Sequence, residues 1–345
     1  MAERALFLDE GPGEIRAVVT LDGAPERLIL ERPGEAYPRL AARYAARVSR
    51  IDKALGLAWL DLGEDGAAAL RLKADRAPPP EGGKIEVEIA IEPQPGKPAV
   101  ARLLGDAEGT PRRLQSGPEL EQRLSSFAPG ARVVTGRAAR DVADEAAAEV
   151  LAVEFPLAGG GSLSIERTRA LTAVDVDMGA ASGDAKRATR QVNLRAIPAL
   201  ARLLRLKALG GLVALDLVGR GHDGQAMAQA IRAAFTPDQP GVAFGPVSRF
   251  GLIELSLPRR YRPVADLLCG ADGRPSAATL ALGLLRAIER EAMADPGARL
   301  RASAHPDVIA AASERAGPLA ARIGARFDLH ADGSLPREAI EVRRP

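Results

Sequence analysis

Aspartates set into two apolar segments are the residues of this chain that are best placed to do chemistry. LTAVDVDMGAASG (171–183) carries Asp175 and Asp177, and GGLVALDLVG (210–219) carries Asp216 directly after four apolar residues. A bare carboxylate is costly to bury, so its presence in two such segments indicates a site that needs negative charge. The alternative is that each aspartate ends a strand, makes a turn or caps an element, which are common uses of Asp.

The surrounding sequence predicts that these aspartates meet. Residues 171–176 have a strand pattern, 186–209 have apolar positions at helical spacing, and 212–218 form a second strand pattern. A strand, a helix and a strand of this length predict a βαβ unit with adjacent parallel strands. The carboxyl ends of such strands share one crevice. Pro198 predicts a kink or a break inside the helix.

The side chains at this crevice favour a hard divalent cation. Two or three carboxylates that converge in a partly buried site should raise each other's pKa, and a cation would relieve the repulsion. Oxygen ligands without thiols or a His cluster select Mg²⁺, with Mn²⁺ as a substitute, over Zn²⁺. We therefore predict a metal site at Asp175 and Asp216, with Asp177 as a third catalytic residue.

A basic run flanks the first acidic segment and suggests a polyanionic partner. Seven basic residues stand against one acid between 184 and 207: Lys186, Arg187, Arg190, Arg195, Arg202, Arg205 and Lys207. Such a cluster beside a metal site favours phosphodiester hydrolysis, in which the metal activates water. The alternative is that these arginines only solvate one face of the helix.

The rest of the chain predicts an α/β (α+β multidomain) protein. Residues 5–32 form three short strand patterns with an Asp-Gly hairpin turn, and five further strand patterns predict a small OB-type barrel. The predicted units are N-terminal strands packing with the catalytic half (1–35), the barrel (36–105), a connector (106–132), a catalytic segment (133–265) and a helix plus a small C-terminal α/β subdomain (266–345).

Composition predicts a cytoplasmic protein without a membrane partner. The sequence has one cysteine, Cys269, which excludes an intrachain disulfide framework and fits a reducing compartment. The first residues are acidic and lack the apolar core of a signal peptide. No apolar stretch approaches the ~18 residues of a membrane span.

Several long segments resemble the ribonuclease E/G family in order and spacing. They are SLSIERTRALTAVDVDMGAASG, VNLRAIPALARLLRLKALGGLVALDLV, VSRFGLIELSLPRR and the opening GEIRAVVTLDGAPERLILER, while residues 44–72 resemble the family's inserted S1 barrel. The resemblance implies a DNase I-like catalytic segment that cleaves single-stranded RNA internally with Mg²⁺, in rRNA maturation or mRNA turnover. It places Asp175 and Asp216 on metal-ligand positions. Asp177 falls where the family usually has an Asn that orients the first ligand.

The resemblance also implies how RNA is held. Trp59 falls where the family has a base-stacking Phe, and Lys97 matches a lysine that contacts RNA, whereas a second stacking aromatic is replaced by Ala69. The alternative for Trp59 is a barrel core residue. Four arginine and lysine residues complete the predicted RNA-binding set: Arg43, Arg205, Lys207 and Arg249.

Two further departures from the family limit what can be carried over. The chain has no match to the Arg-Thr pocket of the family's 5′-end sensor. It reads DLLC (266–269) where the family has Cys-Pro-x-Cys, so neither structural Zn²⁺ nor a zinc-linked homodimer is expected.

His222 is interpreted as a solvated loop residue. The rival functions are a non-catalytic RNA-binding relative with a decayed site and a DNA-directed nuclease.

Overall fold

The computed structural model describes residues 3–34, 37–75, 77–179 and 185–344. Within these ranges the chain has the predicted mixed α/β composition, with a closed barrel, three further sheets and helices between them. Residues 180–184, which end the first acidic segment, lie outside the described residues, as does the side chain of Lys186.

Three antiparallel strands of the N-terminal sheet agree with the sequence pattern: β1 (Arg4–Gly11), β2 (Glu14–Leu21) and β3 (Ala24–Glu31). Asp22 and Gly23 link β2 to β3 with positive φ angles of 50° and 84°. Two consecutive positive φ values are what a type I′ hairpin turn requires, which explains the Asp-Gly pair.

The predicted OB-type barrel is confirmed. Its strands are β4 (Arg43–Asp52), β5 (Leu57–Asp61), β6 (Ala67–Arg71), β7 (Lys84–Ile91) and β8 (Ala99–Asp106). The sheet closes because β4 pairs with both β5 and β7, and β6 runs parallel to β8. Alternate residues such as Ile85, Val87 and Ile89 fill the interior, as a period of two requires.

The predicted connector contains more structure than a single helix. Besides α1 (Leu120–Phe127), it holds the strand β9 (Arg112–Gln115), which pairs with β4 of the barrel. The next strand, β10 (Val133–Thr135), is present as predicted and lies parallel to β1 in the N-terminal sheet. The helix α2 (Arg137–Leu151) then packs on that sheet.

A six-stranded sheet carries the acidic segments, in the order β11-β12-β13-β14-β16-β15. Its elements are β11 (Glu154–Pro156), β12 (Ser162–Arg167), β13 (Thr172–Asp177), α3 (Ala185–Leu206), β14 (Gly211–Asp216), α4 (Gly224–Ala234), β15 (Ala243–Phe244) and β16 (Leu252–Leu257). The predicted βαβ unit is therefore present, with β13 and β14 parallel and adjacent. α3 runs through Pro198 without a break, so the predicted break is wrong.

One apolar core joins this sheet to its helices and to the N-terminal strands. Val174, Val176 and Leu215 on one face of the sheet belong to the same cluster as Leu200 of α3 and Leu28 of β3. The large apolar content of α3 fits this position, because the helix is covered by the sheet on one side and by α2 and β3 on others.

The C-terminal part forms its own small α/β unit with a separate core. The short helix α5 (Ala265–Leu268) precedes it and packs in the core of the six-stranded sheet. The unit itself contains α6 (Ala277–Ala294), β17 (Leu300–Ala304), α7 (Pro306–Arg315), α8 (Gly317–Ile323), β18 (Phe327–Ala331) and β19 (Ile340–Arg343). The sequence predicted this order with one helix where the structure has two. Among the described helices, none combines the length and the apolar character needed to cross a membrane.

Candidate active site

Asp175 and Asp216 stand side by side at the carboxyl ends of neighbouring strands. They are register partners in the parallel pair β13–β14. Register partners point to the same face of a sheet, and adjacent strands lie ~4.8 Å apart. The structure thus brings together the two aspartates that the sequence predicted to meet.

The carboxylates are exposed, which corrects the expectation of a partly buried site. Asp175, Asp177 and Asp216 alternate with buried residues such as Val176 and Leu215 and point away from α3. At the carboxyl ends of β13 and β14, the side chains that face α3 are buried, and those on the opposite face are exposed. The aspartates therefore keep much of their hydration, and the cost of burying a bare charge does not explain their presence.

The electrostatics of the site disfavour three unpaired carboxylates. Partial desolvation raises the pKa of Asp175, and the negative charges of Asp216 and Asp177 raise it further; a hydrogen bond from the Val176 N–H opposes them. A positive charge placed between the strands would reverse these effects, because it stabilises the ionised form.

Asp177 is the last residue of β13 and lies on the same face as Asp175. Its Oδ1 accepts a hydrogen bond of 2.5 Å from the N–H of Gly179. The sequence left open whether Asp177 forms a turn or contributes a carboxylate to the site, and the structure shows both. Asp177 stabilises a local turn, and it adds negative charge beside Asp175.

The donor set suits a loosely held hard cation rather than a closed metal cage. Within the described residues, no group of three or more His, Cys, Asp or Glu side chains is arranged to hold a metal ion. Mg²⁺ is commonly bound through only one or two carboxylates, with water and substrate phosphate completing its shell. Asp175 and Asp216 fit that pattern.

A buried amide fixes the end of β14 and was not singled out as a site residue from the sequence. Asn193 of α3 is fully buried; its Nδ2 donates to the Val218 carbonyl at 3.0 Å, and its Oδ1 accepts from the Val218 N–H at 3.1 Å. These two bonds hold the segment just after Asp216 against α3. The available signal was a lone polar residue inside the apolar stripe of the helix.

Trp59 lies on the outer surface of the barrel. Its neighbours Ala58 and Leu60 belong to the barrel core, whereas Trp59 is half-buried and outside that core. The alternative interpretation as a core residue is therefore wrong. The Arg50 guanidinium lies 5.8 Å from the ring centroid, and Nε1 has no hydrogen-bond partner among the described residues.

Lys97 lies where the barrel meets the six-stranded sheet. It is exposed and lines a cavity of about 210 Å³ together with Arg167, Arg169 and Arg259. Buried Glu92 holds this junction together, since it accepts from the Leu40 N–H at 3.1 Å and from the Arg262 N–H at 2.8 Å. The two halves thus share one basic cleft.

Two of the predicted RNA-binding residues are corrected by the structure. Arg205 is 9% exposed; its Nε lies 2.9 Å from Glu26 and one terminal nitrogen lies 2.6 Å from Asp238. Lys207 donates through Nζ to three backbone carbonyls near the end of α2, and burial lowers its pKa to about 8. RNA cannot reach either group, so we assign both to the stability of the fold.

The remaining basic residues are on the surface. Arg43 is half-exposed on the barrel and lies 3.8 Å from both Glu86 and Glu88. Arg249 is exposed in the turn before β16, and its guanidinium lies 4.6 Å from the ring centroid of Phe250.

His222 is also corrected. The side chain is half-buried, and its Nε2 is enclosed and has no hydrogen-bond partner among the residues that the structure describes. It is therefore not a solvated loop residue.

Comparison with known proteins adds a second line of observation. Residues 136–260 match the family model described as Ribonuclease E/G family. The chain is 33% identical to ribonuclease E of Haemophilus influenzae over 151 residues, which cover 41% of this chain and 16% of that protein. It is 30% identical to ribonuclease G of Salmonella typhimurium over 117 residues, covering 33% and 24%. A chloroplastic ribonuclease E/G-like protein of Arabidopsis thaliana is 30% identical over 141 residues, covering 37% and 14%. The chain thus spans a quarter or less of the length of these relatives.

Proposed function

We propose, from its membership of the ribonuclease E/G family, that this chain is an endoribonuclease that hydrolyses single-stranded RNA internally. The observation that carries the proposal is the in-register pair Asp175 and Asp216 on an exposed edge of the family-matching segment. The substrates follow the family resemblance, namely rRNA precursors and mRNA in the cytoplasm.

Asp175 and Asp216 would hold a Mg²⁺ ion, for which Mn²⁺ could substitute. Their oxygen donors and the raised pKa of Asp175 both fit a hard divalent cation. When bound, such an ion supplies charge stabilisation at the scissile phosphate and lowers the pKa of a water molecule for attack on phosphorus.

The chain's own residues would guide the strand to this point. A base stacks on Trp59 at the barrel surface, and Lys97 with the basic cleft pairs with the backbone phosphates. Arg43 on the barrel and Arg249 in the turn before β16 would add positive charge to this path. Asp177 keeps negative charge beside Asp175 and so favours cation binding.

The assay that tests the proposal uses labelled single-stranded RNA with Mg²⁺ and, in parallel, with EDTA. Internal cuts that require the metal would support the endoribonuclease. RNA that is retarded on a gel but remains intact would support the non-catalytic RNA-binding relative. Cleavage of DNA alone would support the DNA-directed nuclease.

Replacing Asp177 with Asn should move the acidic limb of the pH–rate profile to lower pH. The substitution removes one of the charges that raise the pKa of Asp175, and the ionised carboxylate is the form that holds a cation. Cleavage therefore increases as pH rises through that pKa, and the variant reaches its plateau earlier. kcat/KM measured across the acidic range checks this, with exposed Glu314→Gln as the control. An unshifted limb would contradict the role of Asp177.

Replacing Trp59 with Ala should weaken RNA binding about tenfold, because a stacked base contributes roughly 1–3 kcal/mol. Trp59→Phe should retain most of the affinity, since it keeps an aromatic face. Fluorescence anisotropy of a labelled single-stranded RNA in EDTA measures the Kd. Equal affinities for the Ala variant and the wild type would exclude Trp59 from the RNA path.

A further inference from the structure

An aromatic side chain beside the acidic edge has no structural role in the core. Phe250, in the turn that precedes β16, is 72% exposed and is the most exposed large apolar side chain among the described residues. A single exposed apolar side chain is common on protein surfaces, so the groups around Phe250 decide what it can bind.

The turn holds Phe250 close to Asp216. Leu252, two residues after Phe250, is the register partner of Asp216. The N–H of Leu217, the residue after Asp216, donates to the Gly251 carbonyl at 3.2 Å. Phe250 therefore stands next to the strand that presents Asp216, on a turn tied to that strand.

The cavity beside Phe250 is lined by basic side chains. Arg220, Arg232 and Arg249 line an open cavity of about 1140 Å³, and none of the described residues that line it is Asp or Glu. None of these three arginines makes an ion pair within the part of the chain that the structure describes. Positive charge around an exposed aromatic ring matches a polyanion with flat rings, which is the chemistry of single-stranded nucleic acid.

The guanidinium of Arg249 is suited to a nucleobase together with the Phe250 ring. Arg249 lies 4.6 Å from the Phe250 ring centroid, and planar guanidinium and aromatic groups both serve as stacking surfaces for bases.

We propose that Phe250 and Arg249 form a base-stacking subsite on the catalytic segment, which holds a nucleobase of the RNA adjacent to the phosphate at Asp175 and Asp216. The subsite rests on the proposed function, because it needs an RNA strand at the acidic edge. It is separate from Trp59, which lies on the barrel.

The test is a double-mutant cycle between Phe250 and a single base. Binding is measured in EDTA with a short single-stranded RNA and with a series in which one nucleotide at a time is abasic. Phe250→Ala should weaken binding of the intact RNA about tenfold. Phe250→Trp should restore it, and Met293→Ala, an exposed apolar residue of α6, should leave it unchanged.

The abasic series distinguishes stacking of one base on Phe250 from a general loss of RNA affinity in the variant. At one position, removal of the base should weaken wild-type binding about tenfold but have no further effect in Phe250→Ala. If Phe250→Ala binds every RNA as the wild type does, or if its loss is equal for all abasic positions, the subsite is wrong while the endoribonuclease proposal stands. If the wild type neither binds nor cuts RNA, the proposed function itself fails.

Discussion

Asparagine at Asp175 or at Asp216 is expected to lower RNA cleavage about 1,000-fold or more and to leave RNA binding nearly unchanged. Asn keeps the shape of Asp but removes the charge that holds a cation between the strands. The cation contributes several kcal/mol of transition-state stabilisation, and each ~1.4 kcal/mol corresponds to a factor of ten in rate. Binding should persist, because the proposed RNA contacts at Trp59 and the basic cleft do not involve these carboxylates.

Single-turnover cleavage and anisotropy binding, measured on the same labelled RNA, check both halves of this prediction. Asp141→Asn is the matched control, since Asp141 is 67% exposed on α2, a helix that packs on the N-terminal sheet. The melting temperature should be unchanged or slightly raised in the Asp175 and Asp216 variants, because each loses a repulsive charge. Cleavage at the wild-type rate in both variants would remove the metal site from the account.

Glu26→Gln is expected to lower the free energy of unfolding by about 3–5 kcal/mol, the usual cost of breaking a buried ion pair. The Glu26 side chain is fully buried between two arginines. Arg4 donates to both of its oxygens at 2.6 and 3.0 Å, and Arg205 Nε lies 2.9 Å away. The neutral amide of Gln would leave the buried Arg205 guanidinium with less compensating negative charge. Its amide NH₂ would also face a guanidinium N–H, so two donors would meet without an acceptor.

The pH dependence of stability gives an independent check on Glu26. Burial alone would raise its pKa, but the hydrogen bond from Arg4 and the charge of Arg205 outweigh burial and hold the pKa below its ordinary value. The ion pairs therefore stabilise the wild type fully above the unfolded-state pKa of about 4.3, and the stabilisation is lost as pH falls through the lower folded-state pKa. The Gln variant should lack this part of the acid dependence.

Urea unfolding of the wild type and of the Glu26→Gln variant, followed by circular dichroism at several pH values, measures both effects. The exposed pair Arg137–Asp141 supplies the control, because Asp141→Asn should change stability by less than about 0.5 kcal/mol. A Glu26 variant as stable as this control would contradict the structural role given to Arg205.

The sequence predicted the elements whose spacing is set by local rules. The Asp-Gly turn at 22–23 and the alternating strands of the barrel follow from backbone geometry. The meeting of Asp175 and Asp216 follows from the rule that a strand, a helix and a strand place two parallel strands side by side. In each case the residues that determine the structure lie in one continuous segment of the chain.

The errors arose where the outcome depends on distant partners. Arg205 and Lys207 stand in a basic run, but their partners come from β3, from the end of α2 and from residues after α4. A sequence pattern cannot separate an arginine that faces solvent from one that meets a buried glutamate. Period-two alternation likewise predicted that the aspartates share one face of the sheet. It could not predict whether another layer of the fold covers that face.

The most direct test of the central claim is a Mn²⁺ titration of the whole chain, followed by isothermal calorimetry or by electron paramagnetic resonance of the free ion. If Asp175 and Asp216 hold a single ion together, the wild type binds one Mn²⁺ at this site. Each Asn variant then loses that binding, and the double variant loses no more than either single one. Undiminished Mn²⁺ binding in either single variant would contradict a shared site.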